Sequence, residues 1–471
     1  MITLQTYNVY RRPREFARMD TFDRVPRESL VEIVKTAADW VTLEDLIVDL
    51  TQLTPLFEPG NKPDSPADPE AMALVRHILE HNSTMSYDYL ERYFMVCVEL
   101  RGPIPHTSLY DFVDKTSFDL QSSKHGHRLS MSTATRASLR AVVNIAANIQ
   151  RLACMCLTTL RARLQAILPQ YFKDIREMPS LVPRKLRDVG AFSWIEEYRV
   201  YRALWHFQAF SDFLQVAVQL RWTDKRVLSL QRDHLHWSGL CRQEPYTAED
   251  DTEWETLCKN TAAWEEICEV SECLESLYAG SPDLCTTYSP QAPSEDEDKF
   301  VPECFDLDRK YRIHANHKVF LLERLPNAFR CPAGPFEVWS PPAQPREGDL
   351  LHELWGQSGE HTAHHEVLDF VYAWRLLQED GDPAACYNIA TGSFRALGMG
   401  LWDHRRLFEL GLHEVWPDRG STALTTPDGD VRIWAHPRPV NLFLSDRAHK
   451  WHLLLGAWEA LFPAPVEVVE V

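Results

Sequence analysis

Residues 135–164, TRASLRAVVNIAANIQRLACMCLTTLRARL, contain the apolar spacing that decides the fold class. Apolar residues recur there at three- and four-residue steps, which is the pattern of one buried helix face. The members of this stripe are Leu139, Val142, Ala146, Ile149, Ala153, Leu157, Leu160, Leu164 and Ile167. Arg136, Arg140 and Arg151 fall on the side away from the stripe, and Arg161 and Arg163 flank it. The stretch predicts one long helix with a basic face.

The same stretch has no carboxylate, although the chain as a whole is acidic. The 471 residues include 68 Asp and Glu against 49 Lys and Arg, a formal net charge of −19. No acidic residue occurs between Asp119 and Asp174. Residues 244–308, in contrast, contain nineteen carboxylates against Lys259 and Lys299, which accounts for −17 of the −19. The sequence therefore has two charged poles.

Composition predicts a globular, intracellular protein. A chain of this length with 45% apolar residues can bury a large core in two or three domains. The N-terminus lacks the apolar core of a signal peptide, so we expect a cytoplasmic protein with no membrane partner. The eleven cysteines include no CxxC pair, which argues against a disulfide framework and a zinc ribbon. Cys154 and Cys156 are expected in the core.

The predicted fold is mainly α: a multi-helix globular fold with one small β-hairpin and a disordered acidic linker. The turn chemistry of TTPDGDVRIW, residues 425–434, predicts the hairpin. The Ser-, Pro- and acid-rich composition near residue 290 predicts the linker. The predicted divisions are an N-terminal helical region at 1–60, a main helical domain with the basic face at 70–280, the linker at 281–300 and a mostly helical C-terminal domain at 301–471.

Three local signals place helices more closely. Apolar spacing from Glu28 onward, after Pro26, predicts an N-terminal helix. Ser193 and Glu196 have the spacing of a capping box at the start of a long aromatic-rich helix. Asp403 is the predicted N-cap of a short helix in LGMGLWDHRRLFELGL.

Two histidine pairs have the one-turn spacing of metal ligands. HILEH, His77 to His81, matches an H-x-x-E-H arrangement, and His361 with His365 form the second pair. An amphipathic or solvated helix explains each pair better, so no metal is predicted. The sequence also lacks a P-loop, a G-x-S-x-G and a kinase signature set, and no cofactor is expected.

The basic face and one carboxylate pair each have two interpretations. Arginines free of neighbouring carboxylates suit phosphate oxygens, which predicts a phosphate or RNA surface. The alternative is that the basic helix pairs with the chain's own acidic segment or with a protein partner. The acidic segment is itself a candidate surface for a protein partner. Glu196 and Glu197 begin an apolar helix, where a carboxylate can act in proton transfer or receive a cation. Alternatively, they complement the helix dipole.

Two segments carry a family resemblance. EEYRVYRALWHFQAFSDFL, residues 196–214, and FRALGMGLWDHRRLFELGL, residues 394–412, resemble segments of a large group of filamentous-fungal helical proteins, many of them described as F-box-like. VPRESLVEIVKTAADWVTLEDLI, residues 25–47, is similar to an F-box. This resemblance implies a noncatalytic adaptor for protein interactions.

The chain also resembles fungal arginine-containing cyclodipeptide synthases in general character, with EDDTE at 249–253 similar to an acidic motif of that family. That resemblance implies a tRNA-dependent enzyme that forms an arginine-containing cyclic dipeptide from aminoacyl-tRNA in fungal secondary metabolism. Glu196 and Glu197 would then be catalytic, and the tRNA backbone would bind Arg136, Arg140, Arg151, Arg161 and Arg163. The enzyme is the leading hypothesis and the F-box-like adaptor is the alternative.

Overall fold

A computed structural model describes part of the chain, and that part is mainly helical. The described residues are 25–49, 53–58, 65–86, 90–102, 134–176, 188, 190–220, 266–267, 269–274, 276–277, 337–344, 395–410, 424–425, 431–432, 453, 457 and 461. The helices are α1 (Arg27–Ala37), α2 (Trp40–Asp49), α3 (Thr54–Phe57), α4 (Pro69–His81), α5 (Leu90–Leu100), α6 (Arg136–Arg176), α7 (Trp194–Gln219) and α8 (His404–Glu409). The mainly α prediction is confirmed.

Two short strands are also described. β1 (Leu424–Thr425) pairs antiparallel with β2 (Val431–Arg432), with Leu424 opposite Arg432 and Thr425 opposite Val431. Residues 426–430, which would form the turn of the predicted hairpin, lie outside the described residues. The predicted linker at 281–300 and the pair His361 and His365 also lie outside them. The hairpin turn, the linker and this second histidine pair stay predictions.

The chain divides into two compact units, and each combines three separate stretches of sequence. Unit 1 consists of Met1–Met155, Leu204–Tyr246 and Leu277–Pro341. Unit 2 consists of Cys156–Ala203, Thr247–Ser276 and Pro342–Val471. Helix α6 contributes its residues up to Met155 to unit 1, and α7 contributes its residues from Leu204 onward. The four predicted divisions of the sequence stay predictions.

Helix α6 is buried more completely than a single stripe requires. All nine residues of the predicted stripe are buried. Residues between the stripe positions are buried as well, including Leu152, Cys154, Met155 and Cys156. The core positions predicted for Cys154 and Cys156 are confirmed. By length and composition α6 is long and apolar enough to cross a membrane. However, 67% of its most apolar 18-residue stretch is buried inside the protein, as in the core helix of a soluble fold.

The N-terminal region forms two helices where the spacing from Glu28 predicted one. The chain leaves α1 at Ala38, which has a left-handed backbone (φ 47°). Asp39 then accepts a hydrogen bond from the amide of Thr42 at 2.9 Å and another from its hydroxyl at 2.7 Å. This side chain caps a new helix and competes with continuation of the old one.

Unit 1 has an aromatic core built from distant parts of the chain. The rings of Trp40 and Phe94 stack with centroids 5.0 Å apart, and Trp205 lies 5.9 Å from Phe94. All three side chains are fully buried. The start of α6 is held by the backbone, because the amide of Ala67 bonds to the carbonyl of Ala134 at 2.9 Å. The ring contacts place α2, α5 and α7 around one core.

Unit 2 encloses the segment RALGMGLW, residues 395–402. At both of its glycines, a Cβ atom would approach a neighbouring side chain closely. Gly398 has φ +68°, and a Cβ there would lie 3.0 Å from Cδ1 of Leu160. A Cβ on Gly400 would lie 3.1 Å from the carboxylate of Glu269, which accepts a hydrogen bond from the Gly400 amide at 2.7 Å. The segment is therefore a tight turn packed against α6, and only glycine fits at Gly398 without strain.

We expect Gly398→Ala to destabilise the protein more than Gly190→Ala does. Gly190 also has a positive φ (+84°), but a Cβ there meets no atom within 4 Å. Both variants place an alanine in a left-handed backbone conformation, which costs about 1–2 kcal/mol. Only Gly398→Ala adds a collision with Leu160, so its free energy of unfolding in urea should be the lower of the two. Equal losses would contradict the packing assigned to this turn.

Candidate functional site

Glu196 begins α7 in the capping box that the sequence predicted. Its Oε2 accepts a hydrogen bond from the Ser193 amide at 3.0 Å, and the Glu196 amide lies 3.4 Å from Oγ of Ser193. The side chain has no exposed surface. A carboxylate that would ordinarily face solvent in the first turn is therefore part of the interior of unit 2.

Arg406 is the principal partner of this carboxylate. Its Nε donates to Oε1 of Glu196 at 2.7 Å and its Nη2 donates to Oε2 at 3.0 Å, which is a bidentate ion pair. The guanidinium also donates to the carbonyl of Ala191 at 2.9 Å and to the carboxylate of Asp188. The ring of Trp402 covers it at 5.1 Å. All three nitrogens of the guanidinium, Nε, Nη1 and Nη2, thus donate hydrogen bonds to acceptors in unit 2.

The short helix α8 is fixed to the same pair. Asp403 caps it as predicted, because its Oδ1 accepts the Arg406 amide at 2.7 Å. The amide of Asp403 donates to Oε1 of Glu196 at 3.1 Å. Glu196 therefore joins the first turn of α7 to the first turn of α8.

Burial raises the pKa of Glu196, with the charge of Asp403 acting in the same direction and Arg406 opposing both. Burial lowers the pKa of Arg406, but the neighbouring carboxylates, Glu196 foremost, raise it above its usual value. Both pKa values are thus raised, but a higher pKa favours the neutral form of Glu196 and the charged form of Arg406. We assign an ionised pair, because the groups that bond to the Glu196 oxygens are all donors and none can accept a proton from a carboxylic acid.

A second buried ion pair lies one turn further along α7. Arg202 donates through Nε to Oε2 of Glu266 at 3.0 Å, and Arg199 lies 3.8 Å from Oε1 of the same carboxylate. Nη1 of Arg199 also donates to the carbonyls of Leu401 and Trp402 at 3.1 and 2.8 Å. Within unit 2, residues 196–203 of the first segment that carries the resemblance are thus hydrogen-bonded to residues 401–406 of the second.

Glu197, the second predicted catalytic residue, is also enclosed. Its side chain is 1% exposed, and neither Glu196 nor Glu197 presents a surface to solvent. The chemistry most evident in this arrangement is the neutralisation of buried charge. Their catalytic role stays a prediction.

The predicted tRNA-binding arginines of unit 1 lie close to carboxylates. Arg136 donates to the carbonyl of Pro55 at 3.0 Å and contacts Asp68 at 3.5 Å. Arg151 is paired with Glu44 and, at 3.2 Å, with Asp45. Burial lowers the pKa of Arg140, opposed by the charges of its neighbours Glu44 and Glu58. The acid-free stretch is therefore compensated by acids from α2, the end of α3 and the N-cap of α4.

The other two predicted tRNA-binding residues lie in unit 2. Arg161 is 3.5 Å from Asp188, and its guanidinium lies over the ring of Phe192 at 5.4 Å. Arg163 donates to the carbonyl of Ala396 at 3.0 Å and to the hydroxyl of Ser276. Four of the five arginines thus have a described polar partner, and their binding role stays a prediction.

The histidine pair of HILEH is stacked. The rings of His77 and His81 lie 3.9 Å apart and are nearly parallel. Nε2 of His77 is 3.1 Å from the carbonyl of Lys35, and Nδ1 of His81 is 2.9 Å from the carbonyl of His77. Within the described part of the chain, no group of three or more potential ligands could hold a metal ion.

No family model, curated protein or solved structure matches this chain. The resemblances to F-box-like proteins and to cyclodipeptide synthases therefore stay predictions, and the geometry of the two units supplies the argument about function.

Sequence reasoning missed the partners of the predicted residues. Arg406, Glu266 and Asp188 organise unit 2, yet none was singled out. A signal for Arg406 exists in the sequence, since it stands three residues after the predicted cap Asp403 and within the segment that carries the resemblance. Nothing in the local sequence indicates that Glu266, inside an acidic run, is 1% exposed and paired.

We expect Arg406→Met to cost about 3–5 kcal/mol in the free energy of unfolding, because it leaves Glu196 charged, buried and without its cation. Arg27→Met is the matched control, since the Arg27–Glu70 pair is about two-fifths exposed and contributes at most about 1 kcal/mol. Adding Glu196→Leu to Arg406→Met should recover part of the loss by removing the orphaned charge. A loss from Arg406→Met no larger than that of the control would refute the assignment.

Proposed function

We propose that this chain is a noncatalytic F-box-like adaptor whose N-terminal helices hold a protein partner. The observation that carries the proposal is the internal pairing of the charged residues that an RNA-using enzyme would need. The F-box-like resemblance implies a ubiquitin-ligase component as that partner. The tRNA-dependent cyclodipeptide synthase is the competing hypothesis.

The charge balance along α6 favours the adaptor. Nucleic-acid phosphates bind cations whose charge is not already neutralised. In unit 1, Arg136 and Arg151 have carboxylate partners, and Arg140 lies within electrostatic reach of two carboxylates. Each phosphate contact would have to displace an existing partner, which reduces the gain from counterion release.

The surroundings of Glu196 favour the adaptor as well. A catalytic acid or base needs to reach a substrate proton within hydrogen-bond distance. Glu196 has no exposed surface, and its two oxygens accept from Ser193, Asp403 and Arg406. Contact with a substrate would require opening the buried ion pair, whereas a structural role requires no change.

The N-terminal helices offer apolar side chains to solvent. Ile33 on α1 is 40% exposed and Val48 on α2 is 62% exposed. Leu30, Val34 and Ile47 on the same two helices are buried, so each helix has a core side and an outer side. An outer side with exposed aliphatic groups suits a protein partner.

We expect the full chain to bind the purified linker subunit of a cullin-type ubiquitin ligase, and Ile33→Asp with Val48→Asp to weaken that binding at least tenfold. Charges at these positions would have to be desolvated in the interface. Leu220→Asp is the control, because Leu220 is similarly exposed (39%) but lies beyond α7. Calorimetric titration measures the affinities. Binding unaffected by the double substitution would exclude these helices as the contact surface.

The RNA hypothesis predicts a different result in a salt titration with total tRNA. An RNA-using enzyme would bind saturably at low salt, with affinity falling steeply as salt rises. The triple variant Arg136→Ala, Arg140→Ala and Arg151→Ala would reduce the salt dependence by about two to three ion equivalents. We expect weak binding that is equal in both proteins. Saturable binding lost in a folded triple variant would reverse our choice between the two functions.

A further inference from the structure

Residues 337–344, EVWSPPAQ, lie outside helix and strand and have a regular pattern of exposure. Glu337, Ser340, Ala343 and Gln344 are exposed, whereas Val338, Trp339, Pro341 and Pro342 are partly covered. Over residues 337–343 the exposed positions recur at every third residue, which matches the three-residue turn of a polyproline II helix. The two prolines favour that conformation, and Pro341 restricts Ser340 to extended backbone.

The segment is held in unit 1 through its main chain. Nε2 of Gln150 donates to the carbonyl of Trp339 at 3.1 Å, and Sγ of Cys154 lies 3.7 Å from the same oxygen. The hydroxyl of Ser83 lies 3.5 Å from the carbonyl of Pro341. Gln150 and Ser83 are 189 and 258 residues away from their partners along the chain. The contact therefore has the form of a peptide lying on a distant surface.

The principal donor is preorganised. Gln150 is 1% exposed, and its Oε1 accepts hydrogen bonds from the amides of Trp40 and Val41 at 3.0 and 3.2 Å. These two bonds at the start of α2 fix the orientation of the side-chain amide, and Nε2 then donates to the carbonyl of Trp339 at 3.1 Å and to Oδ1 of Asp39 at 3.4 Å. A buried donor in a fixed direction is what recognition of a main-chain carbonyl requires.

We propose that Ser83, Gln150 and Cys154 form a recognition site for extended, proline-containing peptides, with residues 337–341 as its tethered occupant. A partner peptide with the same Trp-Ser-Pro-Pro chemistry would compete for it. The inference rests on the proposed adaptor function and deepens it by naming a class of partner. Proline-containing peptides suit such a site because they are already extended and lose little conformational entropy on binding.

The site is filled by the chain itself because residues 337–341 belong to the same molecule as Gln150 and meet it without an intermolecular association step. An attached ligand competes at an effective concentration that a free ligand has to match. A free peptide with the same contacts must exceed that concentration or bind more tightly. The three described hydrogen bonds use carbonyl oxygens of the segment, which any peptide of this conformation can present.

The test uses the full chain with residues 337–341 replaced by a Gly-Ser sequence of equal length, and a fluorescent peptide of residues 335–345, PFEVWSPPAQP. We expect saturable binding to this vacated protein and at least tenfold weaker binding to the unaltered chain. A peptide in which both central prolines are glycine should bind at least fivefold more weakly than the original. Gln150→Glu in the vacated protein keeps acceptors for α2 but removes the donor; combined with Asp39→Asn, which prevents two adjacent carboxylates, it should weaken binding at least tenfold relative to Asp39→Asn alone.

A second measurement on the unaltered chain covers a failure of the vacated protein to fold. With fluorotryptophan in the unaltered chain and an unlabelled peptide in excess, the fluorine resonance of Trp339, assigned through Trp339→Phe, should shift as the tethered segment is displaced. An unchanged resonance, or equal peptide binding with and without residues 337–341, would overturn the inference. If the ubiquitin-ligase subunit still binds in that case, the adaptor proposal stands and only the peptide site falls.

Discussion

A carboxylate with no exposed surface must find hydrogen-bond donors for its lone pairs, and Glu196 finds its main donor 210 residues further along the chain in Arg406. The remaining donors are backbone amides at the starts of two helices. Moving either helix start would leave a buried charge without its partner, so the positions of the first turns of α7 and α8 within unit 2 depend on this one pair. A buried ion pair contributes little net stability compared with apolar packing, but its geometric demands restrict the alternatives.

Some carboxylates of the acidic pole are structural, which the net charge of the stretch does not reveal. Glu266, Glu269 and Glu272 come from the stretch with a charge of −17, yet they bind Arg202, the Gly400 amide and Arg395 in unit 2. The basic pole in unit 1 meets acids from a different part of the chain, at Glu44, Asp45 and Asp68. The described members of each pole thus have partners outside the other pole.

Local sequence predicted what local physics determines. The stripe on α6, the capping box of Ser193 and Glu196 and the cap at Asp403 depend on spacings of three or four residues, and each lies where it was predicted. The break between α1 and α2 was missed, although Asp39 followed by Thr42 is a capping signal that competes with an otherwise continuous apolar pattern. The buried pairs Arg202–Glu266 and Arg406–Glu196 join residues 64 and 210 positions apart, and no local spacing encodes such contacts.

Burial of α6 on more than one side explains why its few polar residues have fixed roles. Around Met155 the helix has no solvent-facing side, so a polar side chain near it must bond to protein groups. Gln150 meets this demand by accepting from two amides of α2 and donating to the carbonyl of Trp339. Neither a glutamate nor an aliphatic residue offers both an acceptor and a donor. Gln150, by accepting from the first two amides of α2, therefore also fixes the direction in which unit 1 presents a donor to an extended segment.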